Sequence, residues 1–247
     1  MKYSITTLEE TDSTNNYLKS HPKLWDENFK CVRAITQTGG RGRFSRNWVS
    51  TIDDLTFSFI FKPKDLEEPA IITLFAGLAL YQSLNKFLNI NSDNKFSIKW
   101  PNDIYHNNEK LGGILTELIF EKKEPIMIVG IGINVNSLPE EYKLNRNVTS
   151  LRKITNETYD LPNLLNAILD EVKLVFEDIT YPLQTQFQNS WNDACKCIDR
   201  KVNVQINHQN KTLRIQGLAK TGSLRCVDEN ENEVDIRDAQ ISYEEED

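Results

Sequence analysis

The order in which helical and strand-like patterns follow one another constrains the fold of this chain most. Apolar residues spaced three and four apart predict helices, and alternating or β-branched apolar runs predict strands. In chain order these are helix 10–19, strand 55–61, helix 68–88, strand 96–100, a hairpin of 114–120 with 125–135, and helix 161–178. Because strands and helices do not alternate strictly, an α+β fold with a mixed sheet and packed helices is favoured over a doubly wound sheet.

The last fifty residues have a different texture. Four short strand-like runs, separated by polar turns, follow residue 192 at positions 202–206, 213–219, 223–228 and 234–237. Short strands at this density are typical of a small β-barrel. We therefore predict two domains, with residues 1–195 forming the main domain and residues 196–247 a small barrel.

Composition excludes several classes of protein. A net charge of −7 over 247 residues argues against general binding to nucleic acid or to a membrane surface. The longest apolar stretches are too short to span a bilayer, and the first residues lack the apolar segment of a signal peptide. The four cysteines, without a CxxC pair, indicate reduced thiols in a cytoplasmic protein; they are Cys31, Cys195, Cys197 and Cys226.

The first chemical motif is the glycine- and arginine-rich run QTGGRGRFSRNW, from Gln37 to Trp48. Its glycines permit positive φ and close approach of backbone N–H groups to an anion, and guanidinium groups match phosphate or carboxylate oxygens. A loop that closes over a phosphate-bearing ligand is one interpretation; a solvated basic loop, with or without RNA contact, is the other. The residues concerned are Gly39, Gly40, Gly42, Arg41, Arg43 and Arg46.

The second motif is IKWPNDIYHNNEKLGGIL, in which a strand delivers Lys99, Asn102 and Asp103 to its exposed end. Lys110 follows seven residues after Asp103, just before Gly112 and Gly113 of the next strand. A carboxylate and an ammonium brought together by a tight connection can bind metal-bridged phosphate and a substrate carboxylate. The alternative is an ordinary hairpin whose lysine is solvated.

The third motif, VGIGINVN at residues 129–136, alternates apolar residues with Gly130, Gly132, Asn134 and Asn136. Glycines in a strand let a small ligand lie against the backbone. As a bare pattern, however, a closely packed buried strand explains it better. No third glycine and no following helix fit a dinucleotide-binding fingerprint.

Taken together, the motifs closely resemble those of the biotin–protein ligases. DSTN at residues 12–15, then GRGR, KWPND, KLGGIL followed by a glutamate, and GIGINVN match in order and spacing over roughly residues 8–151. The tail from Ile198 resembles the SH3-like C-terminal domain of that family, whose catalytic domain is related to class II aminoacyl-tRNA synthetases. Members that double as repressors carry a DNA-binding module ahead of DSTN. Because DSTN begins at Asp12 here, which leaves no room for that module in this sequence, the resemblance implies the monofunctional form and no DNA partner.

The resemblance implies ATP-dependent formation of biotinyl-5′-AMP, with Mg²⁺, and transfer of biotin to a lysine of a biotin carboxyl-carrier protein. Catalysis would fall to Arg41, Arg43, Lys110 and Asp103, with Asp103 contacting either Mg²⁺, through phosphate, or the acceptor lysine. Biotin would be bound by Ser13, Thr14, Asn15, Gln37, Gly40, Arg41, Lys110, Gly113 and Gly130. ATP or the adenylate would be bound by Arg43, Arg46, Trp48, Lys99, Asn102, Gly132 and Asn134.

Several alternatives stay open at this level. A lipoate–protein ligase shares the fold family and the adenylation chemistry, and a non-catalytic biotin-binding regulator would keep the pocket without the reaction. Residues 136–147 are a candidate second loop over the adenylate. The chain is expected to be a monomer or a homodimer.

Overall fold

The computed structural model describes residues 3–64, 67–89, 96–137, 147–206, 209–237, 239 and 241–243. Its described helices are α1 Thr14–Ser20, α2 Ile71–Leu88, α3 Leu151–Thr155, α4 Leu161–Glu177 and α5 Thr185–Cys195. The strands of the main sheet are β1 Ile5–Thr11, β2 Cys31–Gln37, β3 Leu55–Phe61, β4 Ser97–Lys99, β5 Asp103–His106, β6 Glu109–Glu121 and β7 Glu124–Ile133. A second sheet contains β8 Lys201–Ile206, β9 Gln209–Leu218, β10 Leu224–Val227, β11 Glu233–Ile236 and β12 Ile241–Tyr243.

The main sheet is mixed, as predicted. Its strand order is β1-β2-β3-β7-β6-β5-β4, in which only β1 and β2 pair in parallel. The order of the second sheet is β11-β10-β9-β8-β12, antiparallel throughout. The α+β fold with a small C-terminal β domain is confirmed.

Both faces of the main sheet are covered, which explains why β3 is buried along its whole length although its alternation predicts a half-buried strand. On one face the aromatic side chains of Phe59 and Phe61 meet Phe176 of α4 edge to face, at centroid distances of 5.7 and 4.9 Å. On the other face Leu18 of α1 packs against Ile60. The polar residues of β3 therefore face α1 instead of water.

Helix α2 is the one helix among the described residues that is long and apolar enough to cross a membrane, which differs from the expectation that no stretch reaches that length. Of the residues Ile71–Leu88, 67% are buried inside the protein, between the main sheet and α4. Its apolar character follows from its place in the core.

Several boundaries differ from prediction. The predicted helix 10–19 begins only at Thr14, because residues 5–11 form β1, which pairs with β2. Strand 96–100 shortens to Ser97–Lys99. Among the described elements, four strands (β1, β2, β5 and β12) and two helices (α3 and α5) were not predicted, since their patterns are short or largely polar.

The second sheet is joined to the main domain through α5 and through Trp100, which follows β4. Gln188 of α5 donates from Nε2 to the Leu218 carbonyl at 2.6 Å, and the Leu218 N–H donates to Asn192 Oδ1 at 2.8 Å. The Trp100 indole N–H donates to the Gly222 carbonyl at 3.3 Å. One continuous hydrophobic cluster contains residues of both sheets, so the small domain is anchored where β4 ends.

The expectation of four reduced thiols is wrong for one pair. Cys195 and Cys197 are joined by a disulfide, with their Cα atoms 5.2 Å apart. Lys196 between them has a φ of 49°, which turns the chain after α5 and brings the two side chains together. Cys31 and Cys226 are free and buried.

Candidate active site

A cavity of about 290 Å³ opens on the face of the main sheet that carries α1. Ile241 and Ser242 of β12, together with Ala239 ahead of that strand, complete its wall. Fifteen of the residues that the resemblance assigns to catalysis or to ligand binding line it: Ser13, Thr14, Asn15, Gln37, Arg41, Arg43, Arg46, Trp48, Lys99, Asn102, Asp103, Lys110, Gly113, Gly130 and Gly132. Gly42 of the first motif lines it as well. Three separate motifs therefore meet in one cavity.

Two of the residues assigned by the resemblance do not line the cavity. Asn134 is buried, and its amide donates to the Thr149 carbonyl at 2.8 Å, which ties the end of β7 to the start of α3. Gly40 packs against another part of its own segment, where an added Cβ would come within 2.5 Å of the Trp48 carbonyl oxygen. Of the candidate second loop, residues 136–147, positions 138–146 lie outside the described residues.

The start of α1 forms the polar end of the cavity. The Thr14 N–H donates to Gln37 Oε1 at 2.8 Å, and the Thr14 hydroxyl lies 2.6 Å from that of Ser58. Ser58 donates to Asn15 Oδ1 at 2.6 Å, and Asn15 Nδ2 donates to Glu117 Oε2 at 2.7 Å. The side chains of α1, β3 and β6 are therefore linked in one hydrogen-bonded series.

Ser58 and Glu117 were missed as site residues. Ser58 has a detectable signal, since it is a polar position in the otherwise apolar strand LTFSFIF. Glu117 is the glutamate that follows KLGGIL, and its signal is only its place in that motif. Neither the spacing nor the composition shows that both point to α1.

The glycines of β7 leave room for protein side chains. A Cβ at Gly130 would lie 2.2 Å from Asn15 Oδ1, and a Cβ at Gly132 would lie 2.4 Å from Trp48 Cε2. Such distances are far below van der Waals contact, so only glycine is tolerated in this arrangement. The sequence predicts that a ligand lies against the bare backbone at these glycines. In the structure the side chains of Asn15 and Trp48 lie there. The Trp48 indole nitrogen is buried, and it lacks a hydrogen-bond partner among the described residues.

The glycine- and arginine-rich segment folds back on itself as a narrow hairpin. The Trp48 N–H donates to the Gly40 carbonyl at 3.0 Å, and the Gly42 N–H donates to the Arg46 carbonyl at 2.7 Å. Positive φ values occur at Phe44 (54°) and Ser45 (57°) and not at the glycines, which corrects the role expected for Gly39, Gly40 and Gly42. At Gly40 the glycine is required instead by the close approach of Trp48.

Two arginines of this hairpin are held over the sheet. Arg41 hydrogen-bonds to the Asn16 side-chain oxygen and lies 3.6 Å from Glu117 Oε1. Arg43 donates to Asn102 Oδ1 at 3.4 Å, and its guanidinium lies 4.9 Å from the centroid of the Phe44 ring. Both guanidinium groups therefore stand beside the cavity with their orientation restricted.

The KWPND segment and Lys110 meet at the other end of the cavity. The hairpin of β4 and β5 places Lys99 opposite Asp103, and Asp103 pairs with Gly113 of β6. A register shift after Ile104 then brings Lys110 beside the same carboxylate, with Nζ 2.7 Å from Asp103 Oδ1. The Lys110 ammonium is also 5.8 Å from the Trp48 ring. The spacing of seven residues thus forms a carboxylate–ammonium pair.

Positive charge is concentrated around this pair. Burial lowers the pKa of Lys99; the charge of Asp103 counteracts that effect, while Lys110, Arg200 and Arg46 add to it. Asp103 is the one carboxylate among the described residues lining the cavity. The described ranges contain no group of three His, Cys, Asp or Glu residues arranged for a metal ion. The cavity is therefore suited to an anionic ligand.

The comparisons with known proteins agree with this geometry. Residues 7–134 match the Biotin/lipoate A/B protein ligase family. The chain is 38% identical over 143 residues to the bifunctional ligase/repressor BirA of Bacillus subtilis, covering 56% of this chain and 43% of that protein. It is 31% identical over 173 residues to the biotin–[acetyl-CoA-carboxylase] ligase of Mycobacterium tuberculosis, covering 68% of this chain and 62% of that protein.

A solved structure matches over the full length. The biotin protein ligase from Aquifex aeolicus in complex with biotin and ATP gives a TM-score of 0.82 at 29% identity, with 100% of both chains covered. By contrast, the sequence match spans less than half the length of the Bacillus relative. Because the family match covers more than half of the 247 residues, the chain belongs to the biotin/lipoate A/B protein ligase family.

Proposed function

We propose that this protein is a biotin–protein ligase that activates biotin with ATP and transfers it to a lysine of a biotin carboxyl-carrier domain. The observation that carries the proposal is the convergence of the start of α1, the arginine hairpin and the Lys110–Asp103 pair in one cavity. The family membership and the Aquifex structure with biotin and ATP support it. ATP is a cytoplasmic metabolite, and we propose the cytoplasm as the site of action.

The first step joins two anions. An oxygen of the biotin carboxylate attacks the α-phosphorus of ATP, the bond to the bridging oxygen of the β-phosphate breaks, and pyrophosphate leaves. Positive charge must offset the repulsion between carboxylate and triphosphate. Arg41, Arg43 and Lys110 are placed to supply it, since all three side chains border the cavity. Lys110 is the candidate for the contact with the reacting carboxylate.

The second step is acyl transfer. The amine of the acceptor lysine attacks the carbonyl carbon of the adenylate, the bond to the AMP oxygen breaks, and the amine loses a proton. Water would compete for the same carbon, so the adenylate must be shielded. The hairpin that carries Arg43 and Trp48 supports such shielding, because Arg41 hydrogen-bonds to Asn16 and Arg43 to Asn102, which holds the hairpin over the sheet.

Mg²⁺ fits the cavity as an ion held mainly by phosphate oxygens. Magnesium usually binds through one or two carboxylates together with substrate phosphates and water. Asp103 is the candidate protein ligand, although its carboxylate also accepts from Lys110. When bound, the ion would neutralise charge on the phosphates. The nucleotide itself is proposed to lie along Arg43, Arg46, Trp48, Lys99 and Asn102.

Exchange of labelled pyrophosphate into ATP tests the activation step directly, because it needs no acceptor protein. We expect exchange that depends on biotin and that lipoate, supplied in parallel, does not support. Exchange with lipoate alone would identify a lipoate–protein ligase. Binding of biotin without any exchange would identify a non-catalytic biotin-binding protein.

A further inference from the structure

In the series of side chains from Glu117 to Thr14, the donor and the acceptor of every hydrogen bond can be assigned. Glu117 accepts from Lys19 Nζ at 2.7 Å and lies near Arg41, so it is a carboxylate and only accepts hydrogen bonds. The Asn15 amide faces this carboxylate at 2.7 Å and the Leu115 carbonyl at 3.2 Å. Both of these groups are acceptors, so the amide must turn its NH₂ group toward them and its oxygen toward Ser58.

That orientation decides where the hydroxyl protons go. The Asn15 oxygen needs a donor, so the single proton of Ser58 points to it across 2.6 Å. Thr14 lies 2.6 Å from the same Ser58 oxygen and therefore donates to it. The Gln37 amide oxygen accepts from the Thr14 backbone N–H and lies 3.2 Å from the Thr14 hydroxyl, so it is the longer and weaker of the two acceptors available to the Thr14 proton.

Thr14 consequently has no proton left for a ligand. Its side chain lines the cavity, whereas Ser58 is fully buried behind it. The hydroxyl of Thr14 offers lone pairs only, and these match a ligand group that carries an N–H donor. A cyclic urea has such donors, and a dithiolane ring has none.

We propose that Glu117 is a positioning residue that sets the direction of the series Glu117–Asn15–Ser58–Thr14 and thereby selects a head group with N–H donors. This inference rests on the proposed function and extends it to the choice between a urea and a dithiolane. Glu117 acts through Asn15 and Ser58 and does not touch the ligand.

The substitution Glu117→Gln tests the direction because it replaces an acceptor-only group by one with both roles. Lys19 requires an oxygen, so the single amide oxygen of the glutamine turns to the ammonium and its NH₂ group turns to Asn15. We expect the shorter contact to decide: the Asn15 amide rotates to give its oxygen to the glutamine, at the cost of facing the Leu115 carbonyl with that oxygen. Ser58 then accepts from Asn15 and turns its proton to Thr14. Thr14 then accepts from Ser58, so one of its two lone pairs is no longer available to a urea N–H, and its own proton turns away from Ser58 toward Gln37 or the cavity.

The experiment is a double-mutant cycle on the dissociation constant of biotin, measured by calorimetry. We expect Glu117→Gln and Ser58→Ala each to weaken binding about tenfold, the size of one lost hydrogen bond in a buried site. Because both act through one series, the double variant is expected to be no weaker than the weaker single variant. Desthiobiotin, which keeps the cyclic urea, is expected to show the same losses.

Lys19→Met is the matched control, since it removes the ion pair but leaves the carboxylate facing Asn15. Its biotin affinity is expected to stay within about twofold of the wild type, a loss smaller than one hydrogen bond. Melting temperatures verify folding, and Ser58→Ala provides an independent variant if Glu117→Gln fails to fold.

Three results would overturn the inference: unchanged biotin binding in either single variant, losses that multiply in the double variant, or an equal loss in Lys19→Met. A wild-type protein without biotin-dependent exchange would remove the proposed function as well. Exchange by the wild type together with unaffected variants would remove the inference alone.

Discussion

Lys110 Nζ lies 2.7 Å from Asp103 Oδ1, and this pair lines the same cavity as the arginines of the glycine-rich hairpin. The two residues come from opposite ends of a tight β connection and are brought together by the register shift after Ile104. Asp103 keeps the ammonium in place, and the ammonium remains next to the space where the reacting carboxylate and phosphate are proposed to meet.

Lys110→Met is expected to reduce biotin-dependent pyrophosphate exchange by at least a hundredfold, because a positive charge next to the developing transition state is lost. The protein should still fold, since methionine keeps most of the apolar stem of the lysine. Lys153→Met is the matched control: it removes a lysine–carboxylate pair with Glu109 outside the cavity. Full exchange by Lys110→Met, with Lys153→Met equally active, would contradict a catalytic role for this lysine.

Gly130→Ala is expected to destabilise the protein by about 1–3 kcal/mol and to weaken biotin binding, because its Cβ would displace the Asn15 side chain. Gly77→Ala in α2 is the matched control. Its Cβ would meet nothing closer than 3.8 Å, and alanine favours a helix over glycine, so stability should rise by up to about 1 kcal/mol. Urea unfolding measures both, and equal effects of the two substitutions would argue against close packing at Gly130.

The fold class could be predicted from the sequence because the apolar spacing of α2 and α4 and the hairpin of β6 and β7 are strong local patterns. The parallel pair of β1 and β2 could not, since β1 is largely polar and its partner lies twenty residues away. For the site, the motifs identify most residues that line the cavity. The packing of Asn15 and Trp48 on the β7 glycines, and the connection of Glu117 to α1, depend on strand pairing that local spacing does not reveal.

Stability should depend on the protonation of Lys99. Burial lowers its pKa in the folded state, so at alkaline pH the unfolded chain retains a proton that the folded chain has released. Stability therefore rises with pH between the lowered pKa and the ordinary value of about 10.4, as the cost of burying the charge disappears. Lys99→Met lacks this cost. We expect its free energy of unfolding in urea to exceed that of the wild type by less at pH 10 than at pH 7. A difference that stays constant with pH would contradict the burial effect.

The cysteines are expected to react in two classes. Burial raises the pKa of the Cys31 thiol, and burial together with Asp235 raises the pKa of Cys226 to about 12, so neither should be alkylated in the folded protein at pH 8. In denaturant without reductant, iodoacetamide should modify only these two free thiols. With reductant added, all four cysteines should be modified, because the Cys195–Cys197 disulfide is then reduced. Intact mass gives the count, and four adducts without reductant would mean that Cys195 and Cys197 are not joined.

The central claim is that the cavity makes biotinyl-5′-AMP and delivers biotin to one lysine, and the intact mass of an acceptor domain tests it most directly. A biotin carboxyl-carrier domain incubated with the wild-type protein, biotin and MgATP is expected to gain one biotinyl group on a single lysine. No gain is expected without ATP or with Lys110→Met. An acceptor whose mass stays unchanged with the wild-type protein, or that gains a lipoyl group when lipoate replaces biotin, would contradict the account.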